Sequence, residues 1–322
     1  MDNVLEWICS ADVALEWQVK RDLLGLSESE WRPVRARIET HGWGKELLSK
    51  QDTDGQWAGG SFAPSDATAA EFKENRQPWT ATAFVLDELR EMGLEPGCDA
   101  AKRTVELVGD NCKWDEGGQR FWDGETEECI NGRTVSSGVY FGVDVHSIVQ
   151  RLLGEVQSDG GWNCDRHRGS VRSSFDSTIN VLEGLLAYEI AHGATPELTA
   201  ARKSGEEYLL QRSLFKRLST GAVVDATYLQ LTYPRRYAYD VLRGLEYFRA
   251  AHLSAGGKAK PDARLAEAIG IVRQKKKADG KWQQEREFKG RHWLKYGDVG
   301  ESSQWLTLKA LRVLGWWDDA SQ

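Results

Sequence analysis

Four residues carry side chains suited to chemistry: Cys129, Cys164, Asp176 and His167. Two thiolates with an Asp or a His make three zinc ligands and leave a fourth position open for water or substrate, which is how catalytic zinc sites are built. Zinc in such a site holds the thiols deprotonated and activates the group bound to it. Cys129 and Cys164 stand 35 residues apart with no CxxC pair, so only the fold can bring them together. Without a metal they read as small buried hydrophobes, as free cysteines commonly are. Asp176 also has two readings. A catalytic acid there needs burial or a carboxylate neighbour, such as Asp165, to raise its pKa. In the first turn of a helix it is an anion stabilised by the helix dipole, with no catalytic duty.

A second group lies between Tyr228 and Tyr239. Tyr233, Tyr237 and Tyr239 can line a pocket and stabilise a cation through their ring faces. Arg235 and Arg236, with Arg133 and Arg172, can instead bind a carboxylate or phosphate. A solvated basic patch is the bland alternative for the same arginines.

The elements that must position these residues form a repeat. Asp54-Gly55-Gln56-Trp57, Asp159-Gly160-Gly161-Trp162 and Asp279-Gly280-Lys281-Trp282 match, with Trp-to-Trp spacings of 105 and 120 residues. Halving these spacings gives a period of about 56 residues, in the range of helical arrays and propellers. Intermediate copies are expected near 110 and 222. Glu116 to Phe121 is a degenerate form of the first, and Leu218 to Ala222 keeps only a Gly of the second. Before each turn comes an amphipathic segment: Trp43 to Lys50, Asp99 to Cys112, Val145 to Gln157, Leu198 to Arg212 and Ala263 to Lys277. More apolar segments follow the turns: Trp79 to Leu89, Cys129 to Gly142, Phe175 to Leu185, Arg235 to Leu245 and Gln304 to Leu314. Ala11 to Gly25 is a further copy. Pro78 and Pro234 suit first turns, and Ser174 or Ser303 can cap.

Polar outer helices alternating with apolar inner ones predict an all-α fold. The expectation is one α/α toroid domain over 1–322, with a repeat core of about 43–317 and about six inner and five to six outer helices. In a closed toroid the inner helices all start at one mouth, which makes Cys129, Cys164, Asp176 and His167 neighbours there.

The Gly-x-Trp turns resemble the Gln-Trp motifs of the squalene cyclase and protein prenyltransferase superfamily. The Gln half is in register only at Gln51, while Val156 and Lys276 occupy its other places. The resemblance implies a toroid whose central cavity cyclises or isomerises a small or medium apolar substrate, such as an isoprenoid. The Asp-x-Asp-Asp acid of squalene cyclases is missing, so such chemistry needs a different acid. Prenyltransferases and lanthionine cyclases place zinc at the mouth of such a toroid, but neither ligand motif occurs here. The alternatives are a zinc-dependent enzyme with a Cys/Cys/Asp-or-His site and a non-catalytic toroid that binds a peptide or small molecule.

Composition narrows the partners. The chain has 322 residues, 42 Lys and Arg against 49 Asp and Glu, a net charge of −7, and no basic stripe for nucleic acid. No apolar run reaches the ~20 residues that span a bilayer, and no signal-peptide pattern opens the chain, so a cytoplasmic protein with a small-molecule substrate is expected. Five cysteines without a pairing pattern do not suggest a secreted disulfide framework. Oligomeric state leaves no mark in the sequence. Among the 14 Trp residues, Trp57, Trp162 and Trp282 belong to the repeated turn and Trp79 and Trp305 to inner segments, so much of the excess marks architecture.

Overall fold

The alternation of amphipathic and apolar segments becomes an alternation of helices. The computed structural model describes residues 3–74 and 76–321. In chain order its α-helices are α1 (Asn3–Cys9), α2 (Val13–Asp22), α3 (Glu28–Arg35), α4 (Gly42–Leu48), α5 (Ala69–Lys73), α6 (Thr82–Met92) and α7 (Asp99–Asn111). They continue with α8 (Glu128–Phe141), α9 (His146–Gly154), α10 (Phe175–His192), α11 (Pro196–Leu210), α12 (Val241–Ser254), α13 (Ala266–Gln274) and α14 (Gln304–Ser321). Short 3₁₀ turns include Cys164–Arg168 and Ala226–Leu229. Extended pairing among the described residues is confined to isolated bridges, so the protein is all-α. No helix among them is long and apolar enough to cross a membrane.

The expected outer segments become α4, α7, α9, α11 and α13, and the expected inner ones α2, α6, α8, α10, α12 and α14. Periodicity did not reveal the short helices α1, α3 and α5. Ser174 caps α10 by accepting the Ser177 N–H at 3.1 Å, and Ser303 accepts the Leu306 N–H at 3.3 Å. The prolines correct the expectation. Pro78 precedes α6, and Pro234 lies ahead of α12, which starts only where Asp240 accepts the Arg243 N–H at 2.8 Å. A carboxylate cap thus sets the boundary.

The three Trp turns are built alike. Gly55, Gly160 and Gly280 take φ values of 90°, 101° and 84°, where a Cβ is strained. Each Trp is fully buried. Its indole N–H reaches back to the preceding helix: Trp57 to the Leu47 carbonyl at 2.8 Å, Trp162 to Leu152 at 2.9 Å and Trp282 to Val272 at 2.7 Å. Its backbone N–H donates to a threonine hydroxyl at 3.1 Å, that of Thr82 of α6, Thr178 of α10 and Thr307 of α14 respectively. A buried N–H without a partner costs about 1–3 kcal/mol, so the Trp and the Thr work as a pair. The intermediate copies are wider hairpins of a second kind. Lys113 bridges Arg120 and Lys216 bridges Val223, while Phe121 N–H meets Cys112 O at 3.0 Å and Val224 N–H meets Phe215 O at 2.9 Å.

The chain gathers into two compact units. One comprises Met1–Thr126, Thr134–Ile148 and Glu287–Tyr296, and the other Glu127–Arg133, Val149–Arg286 and Gly297–Gln322. In the first unit the Trp79 ring packs against Phe84 and Phe288, and its indole donates to the Lys289 carbonyl at 2.9 Å. In the second, α10 packs on α11 and α12, and α12 on α13 and α14. The first two thirds of α10, from Phe175 to Leu186, are almost wholly buried. Its apolar character on all sides therefore reflects a central position in that unit.

Candidate metal centre

Three residues of the second unit converge. Glu127, Cys129 and Cys164 each offer a ligand atom, and these atoms all lie within 4.8 Å of one another. The two sulfurs are at disulfide distance, with Cα atoms 6.0 Å apart. Cys129 Sγ is 3.7 Å from Glu127 Oε2. Cys129 occupies the first turn of α8, and Cys164 the 3₁₀ turn that follows Trp162.

Local structure explains the convergence. Asn163 caps its turn by accepting the Asp165 N–H at 2.9 Å, and the Cys164 N–H donates to Ser177 Oγ at 3.1 Å. Arg166, two residues on, donates to Glu128 and to Glu155, both at 2.6 Å. It ties the Cys164 turn to the start of α8 and to the end of α9. Gly132 lets α8 approach α10, because a Cβ there would stand 2.4 Å from the Asn180 carbonyl oxygen. No larger residue fits that contact without moving backbone.

Two donors aim at Cys164 Sγ: the Cys129 N–H at 3.4 Å and the Ser177 O–H at 3.2 Å. Tyr237 lies within electrostatic reach of Glu127, Asp176, Arg133 and Arg286. Burial pushes its hydroxyl up, and Asp176 and Glu127 push the same way against the two arginines, so the phenol keeps its proton. Asn180 fixes this segment by donating to the Tyr237 carbonyl at 2.7 Å. Arg243 holds Asn180 in turn at 2.9 Å and pairs with Glu183 at 2.6 Å.

Cys129 and Cys164 are brought together as the repeat required. The carboxylate beside them is Glu127, while Asp176 and His167 stand outside the three-residue group. His167 is exposed, with Nδ1 2.8 Å from the Cys164 carbonyl oxygen. Both Asp176 oxygens are engaged: Oδ2 accepts the Tyr228 O–H at 2.9 Å and Oδ1 the Tyr239 N–H at 2.7 Å. Asp176 thus joins α10 to the loop before α12. Asp165 is exposed and 3.3 Å from Arg168.

The aromatic and basic residues sort differently from the expectation. Tyr233 is buried and stacked on Trp305 at 4.5 Å, and Tyr239 is buried against Phe175 and Tyr228. Arg235 is buried between Asp240 at 3.3 Å and Glu246 at 2.6 Å. Although burial pushes the Glu246 carboxyl up, Lys309, Arg235 and Arg312 outweigh it and hold the group at about 2. Arg235 thus neutralises an internal carboxylate, where solvated ligand recognition had been expected. Arg236 is buried with φ 55°, Arg133 is buried, and Arg172 is exposed.

Sequence reasoning missed Glu127, Ser177 and Arg286. The signal for Glu127 was its place two residues before Cys129, but an acidic pair ahead of a helix also reads as ordinary dipole compensation. Ser177 lies one turn after the Ser174 cap, in a run of small polar residues that discloses no direction.

No protein-family model matches the chain, and none of the curated proteins matches it. Among solved structures it is similar to a protein from Actinoplanes, with 17% identity and a TM-score of 0.46 over 94% of this chain and 89% of that one. The functional reading therefore rests on the site.

Proposed function

We propose that Glu127, Cys129 and Cys164 hold a zinc ion and that the protein is a zinc-dependent enzyme on an α/α toroid of the squalene cyclase and prenyltransferase type. The observation that carries the reading is the convergence of two thiols, 35 residues apart in sequence, with a carboxylate. The donor types are those of zinc sites: two sulfurs and one oxygen leave a position for water or substrate once the sulfurs move apart from disulfide distance. The N–H and O–H donors on Cys164 Sγ are the outer contacts that orient a ligating thiolate. When bound, zinc polarises a substrate group or activates water or a thiol. Tyr237 holds a proton beside Glu127, and Arg133 and Arg286 balance the local negative charge. Acid-catalysed cyclisation through Asp176 fits less well, since both carboxylate oxygens already accept hydrogen bonds. A small or medium apolar substrate remains the proposed class, and pure ligand binding is the non-enzymatic outcome.

Elemental analysis of protein purified without a His tag tests this. About one zinc per chain is expected, with C129S and C164S each losing most of it and E127Q binding more weakly. Wild type without stoichiometric metal, or variants with unchanged metal, would overturn the proposal. The second reading is a disulfide, favoured by the proximity of the sulfurs. Thiol titration in denaturant with a chelator separates the two: five reactive thiols support the metal, and three, from Cys9, Cys98 and Cys112, support the disulfide.

A further inference from the structure

A cleft of about 770 Å³ opens in the second unit beside the first turn of α10. One wall is aromatic: Phe175 lies 5.6 Å from Tyr208 and 5.2 Å from Tyr228, ring centre to ring centre. The rim is cationic, with Arg172, Arg212 and Arg217 lining it in a chain whose net charge is −7. Lys216 also lines the cleft but is paired with Glu267. Asp159, the carboxylate in the lining, already accepts from the Ser173 N–H at 3.2 and 3.1 Å and from its hydroxyl at 2.5 Å. Arg212 approaches it only to 4.0 Å.

Apart from the long Arg212–Asp159 ion pair, the arginines are held by neutral groups. The Arg212 guanidinium lies 3.8 Å over the Tyr208 ring and donates to the Tyr208 carbonyl at 2.9 Å. Arg217 donates to the Val224 carbonyl at 3.0 Å. The Arg172 backbone is fixed through its carbonyl, which accepts from Asn163 at 2.6 Å, while its side chain stays exposed. A carbonyl acceptor leaves a guanidinium its charge and most of its donors, so three cations face the cleft with one preoccupied carboxylate among them. Apolar surface completes the site: Val171 is 76% exposed and Leu218 61% exposed in its lining. Burial pushes the Tyr208 hydroxyl up to about 12, so the aromatic wall adds no negative charge near neutral pH.

We infer that this cleft binds a small molecule carrying an anionic head, a carboxylate or a phosphate, on a flat apolar body. The head sits among Arg172, Arg212 and Arg217, and the body lies on the Phe175, Tyr208 and Tyr228 wall. Ser174 lines the cleft, and its hydroxyl lies 2.9 Å from Ser177 Oγ, which donates to Cys164 Sγ at 3.2 Å. The cleft is therefore two serines away from Cys164. Binding itself does not depend on the metal proposal, because every recognising group named is a protein side chain.

The probe is 1-anilinonaphthalene-8-sulfonate, an anion on an aromatic body, titrated by fluorescence with the folded full-length chain. Saturable one-to-one binding is expected. R172Q/R217Q should weaken it about tenfold or more without lowering the melting temperature of the free protein, while K102Q/R103Q, two exposed changes on α7, should leave it unchanged. Displacement by benzoate points to a carboxylate head and displacement by phenyl phosphate to a phosphate. Three results would overturn the inference: unchanged affinity in R172Q/R217Q, equal weakening in K102Q/R103Q, or equally tight binding of the uncharged N-phenyl-1-naphthylamine. Wild-type protein that binds the probe but carries no stoichiometric zinc would count against the metal proposal alone.

Discussion

In the Trp57 turn, Asp54 closes its own turn by accepting the Gln56 N–H at 3.0 Å. In the Trp162 turn, the corresponding Asp159 instead reaches forward to Ser173, and the Ser174 N–H returns to the Trp162 carbonyl at 2.9 Å. Residues 163–173 are thereby tied off as a loop at its base. That loop carries Cys164, one of the proposed metal ligands, and Arg172, a cation of the cleft. Residues 58–68 after Trp57 carry no thiol or cation: Asp115 fixes them by accepting the Phe62 and Ala63 N–H groups at 3.3 and 2.8 Å. The two regions share a frame and differ in what the frame presents. Structural and chemical residues can therefore be separated within a single repeat.

The largest test of that separation removes the frame. Trp57→Ala, Trp162→Ala and Trp282→Ala should each cost about 3–5 kcal/mol in denaturant unfolding, since each deletes a fully buried indole with its hydrogen bond. If one of them were tolerated at below about 1 kcal/mol, the three turns would not be equivalent. A smaller loss of about 1–3 kcal/mol is expected from Gly132→Ala, whose added methyl meets the Asn180 carbonyl. Because this change shifts the first turn of α8, bound metal should fall with it; normal metal content would show that the close contact does not position Cys129. The smallest effect, about 1–2 kcal/mol, belongs to Thr82→Val, Thr178→Val and Thr307→Val, which strip the acceptor from a buried Trp N–H. Similar losses at all three sites would sharpen the equivalence, and a neutral Thr178→Val would break it.

Much of the frame was legible because it is periodic. The Gly-x-Trp spacing located the turns, and the three- and four-residue apolar steps located the helices between them. The Trp partners were not legible. Thr178 follows Trp162 by 16 residues, whereas Thr82 and Thr307 follow their Trp by 25. A spacing that varies this much leaves no motif, although the hydrogen bond is the same. At the site, Cys129 and Cys164 could be joined because one opens α8 and the other follows the Trp162 turn on the way to α10. Glu127 could not be preferred over Asp176, because which carboxylate meets the sulfurs is decided by Tyr228 and Tyr239, which engage Asp176 from a distant segment. Arg235 was misread for a related reason. Its partner Glu246 lies one helix turn inside α12, and a buried ion pair looks in sequence like any solvated arginine.

The direction of the indole tether has a wider consequence. Each Trp reaches back to the helix that precedes it, to Leu47, Leu152 or Val272, and not into the loop ahead. The indole anchor is complete before the loop begins; on its return the chain delivers a threonine and, after Trp162, also Ser173 and Ser174. Whatever lies between can lengthen, shorten or change composition without disturbing the anchor. The segment after Trp162 is in that sense an interchangeable cassette, and new reactivity can enter such a protein by insertion, with no redesign of the helices that carry it.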